Sequence, residues 1–122
     1  MSGALSASMA TGGAGQPPES FNVVWNGSST HVSVNTSDGT TANKVLAVVS
    51  NGSGDYSFNW TVTSNPSGQL ALSGSAAANR AIAWSGFVIL ESESITVQVD
   101  VTDNVTGFTA SDSITITITR SS

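Results

Sequence analysis

The segment ITVQVDVTDNVTGFTASDSITITIT, residues 95–119, decides the fold of this 122-residue chain. Apolar side chains occupy every second position in residues 95–101 and again in residues 114–118. A period of two places alternate side chains on opposite faces of a β-strand. Residues 103–107, DNVTG, lie between the two halves and contain the residue types that turns favour. The segment therefore predicts a long antiparallel β-hairpin.

Further strand signals precede this hairpin. The clearest is residues 56–63, which should direct Tyr56, Phe58, Trp60 and Val62 to one face. Additional strands are predicted at residues 21–25, 31–35, 44–50, 69–72 and 81–84, and residues 87–90 form a short run or a turn. No window shows helical periodicity over ten residues. The chain is therefore predicted to be all-β, an antiparallel sandwich of about seven strands.

The first 20 residues have a different composition from the rest. They are rich in Ser, Gly and Ala and end in a Pro-Pro step, which predicts an extended N-terminal arm before a domain at residues 21–122. The arm carries few large apolar side chains that could anchor it, and Trp25 lies where the domain begins. The predicted partner-docking residues are Leu5, Met9, Pro17, Pro18 and Trp25.

Composition excludes several classes of function. Three Lys+Arg against eight Asp+Glu give a net charge of −5, which disfavours nucleic acids and anionic membranes as partners. The absence of cysteine excludes disulfides, thiolate metal sites and thiol nucleophiles. No apolar run approaches the roughly 20 residues of a membrane span, and residues 1–10 lack the features of a signal peptide. Ser and Thr make up 36 of 122 residues, which predicts a surface of hydroxyls with few charges.

The candidate catalytic residues have simpler structural explanations. His31, the single histidine, should point outward from a short strand, and no motif supplies it with a nucleophile. Glu91 and Glu93 would share a face of an extended segment and form a solvated edge, where charge discourages edge-to-edge aggregation; a glycosidase pair is the alternative. We therefore expect no enzyme activity and no cofactor.

Three acids of the hairpin are the candidates for a metal site. Calcium takes 6–8 oxygen ligands, and Asp100, Asp103 and Asp112 would supply the carboxylates. Their spacing lacks the dense D-x-D-x-D pattern of a preorganised site, and Asp103 suits a turn. We expect no bound metal. The tryptophans Trp60 and Trp84 are in phase with apolar neighbours, which predicts core positions for both.

The chain resembles immunoglobulin-like, or PKD-like, domains. Residues 52–62, GSGDYSFNWTV, resemble the turn and C strand of such a domain, with Trp60 as its core tryptophan. Residues 95–119 resemble its F–G hairpin. Residues 79–87, NRAIAWSGF, are similar to the D/E region of immunoglobulin-like domains in tailed-phage structural proteins. The resemblance covers residues 41–119, and the cysteine pair of antibody domains is absent.

This resemblance implies a non-enzymatic virion protein. We expect a capsid decoration protein, or one associated with the tail or neck, that is assembled in the host cytoplasm and exposed on the particle surface. The expected partner is a capsid or tail protein contacted by the arm, with homo-oligomers or multiple copies on each particle and a weakly bound host-surface glycan as a further partner. The alternative is a carbohydrate- or cell-surface-binding adhesion module of a bacterial extracellular protein.

Overall fold

The computed structural model describes residues 17–75 and 77–121, and all regular secondary structure in this part of the chain is β. It contains nine strands. Their bounds are β1 Ser20–Trp25, β2 His31–Val34, β3 Gly39–Thr40, β4 Val45–Ser50, β5 Tyr56–Ser64, β6 Leu70–Ser73, β7 Asn79–Trp84, β8 Ser92–Asp103 and β9 Thr109–Arg120.

The strands form two sheets. One has the order β1-β4-β7-β3, with β6 pairing along the other side of β7, and the second has the order β2-β9-β8-β5. The predicted hairpin is confirmed, since β8 and β9 pair from Ser92 opposite Thr119 to Thr102 opposite Thr109. All pairs are antiparallel except β2 with β9, which is parallel.

The core lies between the two sheets and confirms the predicted alternation. The inward side chains of β8, from Ile95 to Val101, are at most 1% exposed, and Ile116 and Ile118 of β9 are fully buried. Each fully buried Val or Ile contributes about 1.5–3 kcal/mol. The enclosed cluster is Val23, Val45, Leu70, Ile82, Phe87, Ile95, Val97, Val99, Ile116 and Ile118.

The outer face of the β8–β9 hairpin carries paired hydroxyls. Three cross-strand pairs lie within hydrogen-bonding distance, Ser92 with Thr119 at 2.8 Å, Ser94 with Thr117 at 2.7 Å and Thr96 with Thr115 at 2.8 Å. Such pairs stabilise a sheet from its solvent side without using charge.

Two expectations are corrected. The described residues form nine strands where the sequence predicted about seven, because a strand as short as Gly39–Thr40 leaves no periodicity to read. Like Trp84, Trp60 is half-buried against the core, where the sequence predicted core positions for both residues. It lies on β5, an edge strand, so its ring has no neighbouring strand on one side. Of the predicted docking residues, Leu5 and Met9 lie outside the described residues.

Candidate functional site

Asp103 is the one polar residue among those described that is completely enclosed. It ends β8, and its carboxylate accepts the backbone N–H groups of Ser53 at 2.9 Å, Val105 at 2.9 Å and Thr106 at 3.1 Å. The Ser53 hydroxyl donates a further bond of 2.6 Å. Burial alone would raise the pKa of Asp103, but these donors hold the pKa well below its usual range. Asp103 therefore ties two loops together as a carboxylate.

Glu19 reaches this cluster from the other end of the chain. Its Oε1 accepts the Thr106 hydroxyl at 2.9 Å. Its Oε2 is buried and has no hydrogen-bond partner among the described residues, and the Asp103 carboxyl lies beside the Glu19 carboxyl. Burial raises the pKa of Glu19, and the Asp103 carboxylate beside it raises that pKa further. A proton held between the two carboxyl groups would satisfy the orphaned oxygen.

Glu19 completes what we call the arm root, formed with Pro17 and Pro18. The Asn51 side chain donates to the Pro18 carbonyl at 3.2 Å, and β1 begins directly afterwards at Ser20. Gly52 leaves room for the Glu19 side chain, since a Cβ at position 52 would collide with the Glu19 carboxylate. The arm root is therefore fixed to the domain by contacts that the sequence did not reveal, because Asp103 lies 84 positions from Glu19.

The three candidate calcium ligands are engaged separately. The Asp100 carboxylate accepts hydrogen bonds from the Gln98 side-chain amide and the Ser111 hydroxyl. The Asp112 carboxylate accepts the backbone N–H of Val23 at 2.8 Å. The Asp103 carboxylate accepts hydrogen bonds from loop amides. Nowhere in residues 17–75 and 77–121 do three or more His, Cys, Asp or Glu side chains converge as metal ligands could.

The histidine and tryptophans occupy structural positions. His31 is exposed on β2, as its place in the sequence predicted. Trp25 and Trp84 are half-buried against the core, and the Trp84 indole donates to the Thr36 carbonyl at 3.2 Å. The Trp60 indole donates to the Ala77 carbonyl at 2.8 Å, and the Arg80 guanidinium lies 5.8 Å from its ring centre. These contacts give Trp60 and Trp84 little freedom to stack on a ligand.

The opposite end of the sandwich carries an aliphatic tip, which we define as Val88, Ile89 and Leu90. The three side chains are 66%, 59% and 74% exposed. Leu90 has a φ of 69°, a left-handed conformation that is costly for a residue with a Cβ. The sequence predicted a short run or turn here but not its exposure, because consecutive apolar residues usually indicate burial.

The aliphatic tip is nevertheless firmly held. Phe87 before it is 1% exposed, and the Arg120 guanidinium donates to the Phe87 carbonyl at 2.7 Å. The Leu90 N–H donates to the Arg120 carbonyl at 2.7 Å. Rigid display of three aliphatic side chains to solvent, with one strained backbone position, is typical of a contact surface.

A second carboxyl pair lies at the base of this tip. Glu91 accepts the Val88 N–H at 3.0 Å, and this bond, together with one from Glu93, lowers the pKa of Glu91. The Glu91 carboxylate in turn raises the pKa of Glu93, and burial adds to that effect. The predicted shared face of Glu91 and Glu93 agrees with this contact. Both residues are half-buried, so they do not form the fully solvated edge that the sequence suggested.

The arm root and the aliphatic tip lie at opposite ends of the molecule. Asp103, which contacts Glu19, ends β8, and the aliphatic tip directly precedes the start of β8 at Ser92. Twelve residues of extended strand separate the two ends by roughly 36 Å. We call these the arm end and the tip end.

Comparison of the chain with protein-family models, with curated proteins and with solved structures found no significant match. Within the part of the chain that the structure describes, no helix is long and apolar enough to cross a membrane. The functional argument therefore depends on the geometry of the chain itself.

Proposed function

We propose that this chain is a non-enzymatic virion structural protein that displays an immunoglobulin-like domain on a tailed-phage particle. In this proposal residues 1–16 fasten the protein to a capsid or tail protein, and the sandwich projects outward. The observation that carries the proposal is the separation of the arm root from the aliphatic tip by the length of β8.

The arm root supports an attachment role because it is coupled to the fold. Glu19 contacts Thr106 and Asp103, and Asn51 holds the Pro18 carbonyl. Pro17 and Pro18 have fixed φ angles, so this junction resists bending. A load or orientation imposed on residues 1–16 would therefore pass to the loops at the arm end.

The surface supports exposure on a particle. The outer face of β8 and β9 is lined by hydroxyl pairs and carries little charge, and the aliphatic tip presents three adjacent exposed apolar residues. The two packed sheets and the position of Trp60 on a strand facing the core fit the proposed immunoglobulin-like family. Fold alone does not assign a function, so the test must address attachment.

The test compares three variants for co-purification with phage particles. Deletion of residues 1–16 should abolish incorporation, and the full-length double variant Leu5→Ser with Met9→Ser should reduce it strongly, because it keeps the length and removes the apolar anchors. Leu90→Asp should join particles at the wild-type level, since it alters only the tip end. Full incorporation of the deletion variant would contradict attachment through the arm.

The alternative, an adhesion module, predicts a different result. The purified wild-type chain would then bind cell-wall glycans or intact bacterial cells, and no stoichiometric association with particles would be found. Leu90→Asp would reduce that binding if the aliphatic tip were the adhesive surface, while the residue 1–16 deletion would leave it unchanged.

A further inference from the structure

Trp25 differs from the other two tryptophans in its polar group. The indole N–H groups of Trp60 and Trp84 donate to backbone carbonyls at 2.8 Å and 3.2 Å. The indole N–H of Trp25 has no hydrogen-bond partner among the described residues, and its nitrogen is not fully buried. A Cβ at position 27 would collide with this nitrogen, so the ring lies against the backbone at Gly27. The ring is therefore held in place while its N–H donor remains unused.

Trp25 lines a cleft of about 300 Å³ where the chain crosses from β1 in one sheet to β2 in the other. The cleft is lined by polar and small residues around the indole, which include Gly27, Ser29, His31, Ser33 and Lys44. Its volume is at the lower end of the range for small-molecule sites, so it suits a ligand of about the size of one sugar ring.

The loop between β1 and β2, which forms one wall of this cleft, is fixed at both ends. The Asn26 N–H donates to the Lys44 carbonyl at 2.7 Å, directly before β4. The Thr30 carbonyl accepts the N–H of Thr117 on β9 at 2.9 Å. These bonds tie the loop to strands of both sheets, so the cleft is formed before any ligand binds.

The charge of the cleft is opposite to that of the whole chain. Among the described residues, Lys44 is the one cation whose side chain has no partner, since Arg80 and Arg120 each donate to a backbone carbonyl. No Asp or Glu of the described residues lines the cleft, although the chain has a net charge of −5. An unpaired ammonium group with no carboxylate beside it favours an anionic ligand.

We propose that this cleft binds one carboxylated sugar residue, such as a uronic acid, with the carboxylate on Lys44. The Trp25 indole offers an apolar face and an N–H donor, and the His31 imidazole and the Ser29 and Ser33 hydroxyls can bond sugar hydroxyls. A single ammonium matches the one charge of a carboxylate better than the charge of about −1.5 to −2 on a phosphate group. This inference goes beyond particle attachment, because it gives the glycan partner expected from the sequence a location and a charge.

NMR titration of the isotopically labelled full-length chain with glucuronate tests the proposal. We expect the Trp25 indole N–H signal and the amide signals of residues 27–33 to shift. The indole signals of Trp60 and Trp84 are internal controls and should stay in place, because both groups are already bonded to carbonyls. Trp25→Phe removes one indole signal and thereby assigns it. Glucose, which has the same ring without the carboxylate, should bind about tenfold more weakly.

Lys44→Gln should raise the dissociation constant for glucuronate about tenfold, because it removes the charged hydrogen-bond donor. Val105→Glu is the matched control. It also lowers the net charge by one, at an exposed position that does not line the cleft, and it should leave the dissociation constant unchanged. Unchanged Trp60 and Trp84 indole signals in Lys44→Gln would show that the fold is intact.

No shift of the Trp25 indole signal with glucuronate would overturn the proposal. Equal affinity for glucose and glucuronate, or wild-type affinity in Lys44→Gln, would contradict the role of Lys44. Inorganic phosphate that bound as tightly as glucuronate would make the cleft a general anion site and overturn the sugar assignment. The titration uses the isolated chain, so its failure would leave the proposed function to the co-purification experiment.

Discussion

The two ends of the sandwich each hold a pair of carboxyl groups, and they use them differently. At the arm end, Glu19 and Asp103 come from distant parts of the sequence and meet in a buried cluster of loop amides. At the tip end, Glu91 and Glu93 are two positions apart, and Glu91 holds the turn that exposes the aliphatic tip. A carboxylate that accepts backbone N–H groups can thus join two segments, as Asp103 does, or hold a turn in an exposed position, as Glu91 does.

The difference lies in what surrounds each pair. Asp103 is completely enclosed, and three backbone amides and a hydroxyl stabilise its charge. Glu91 has one amide donor, and the residues next to it remain exposed. We therefore expect the arm end to dominate both stability and attachment, while the tip end stays exposed on the particle.

Asp103→Asn should have the largest effect. The amide keeps one acceptor oxygen but places an NH₂ group against donors of Ser53 or Thr106, which leaves buried groups unpaired. We expect the Tm to fall by roughly 10 °C or more in thermal unfolding followed by circular dichroism. Asp100→Asn on the same strand is the control and should cost much less. Equal losses would contradict the special role of the arm end.

The pH dependence of stability should differ between the two partners at the arm end. The folded-state pKa of Asp103 is depressed, so its contribution is present above the unfolded value of about 3.9 and is lost as the pH falls further. The folded-state pKa of Glu19 is raised, so its contribution is present below about pH 4.3 and is lost as the pH rises through the folded value.

Glu19→Gln isolates the second of these effects. At a pH well above the raised pKa of Glu19, the neutral amide removes repulsion from Asp103, and the Tm should be higher than that of the wild type. Near pH 4, where Glu19 is protonated, the two proteins should have similar Tm values. Asp55→Asn removes one negative charge near the same end and is the control for net charge. A Tm gain that is equal at both pH values would count against the shared proton.

Leu90→Gly should produce a smaller change at the tip end. Glycine adopts a φ of 69° without strain, and Leu90 contributes little packing because it is 74% exposed. We expect the free energy of unfolding in urea to rise by about 0.5–1 kcal/mol. Leu90→Ala retains the strain and should change it by less than about 0.5 kcal/mol. If Leu90→Ala stabilised the protein and Leu90→Gly had no effect, backbone strain at Leu90 would be contradicted.

Periodicity predicted most of the fold and little of the site. Strands β8 and β9 follow from the strict alternation of apolar and hydroxyl residues, because both strands have one buried face. The partial exposure of Trp60 could not be predicted, because alternation identifies the inward face of a strand but not whether the strand lies at the edge of its sheet. Glu19 has its partner 84 positions away, and the aliphatic tip looks like a buried run, so neither left a local signal.

The most direct test of an attachment end and a display end is cysteine labelling on assembled particles. Leu90→Cys at the tip end and Val105→Cys at the arm end are both highly exposed in the isolated chain, where the native residues are 74% and 70% exposed. On purified virions, a maleimide reagent should modify Leu90→Cys as fast as in free protein and Val105→Cys much more slowly. Protection of Leu90→Cys with free access to Val105→Cys, or equal access to both, would contradict the account.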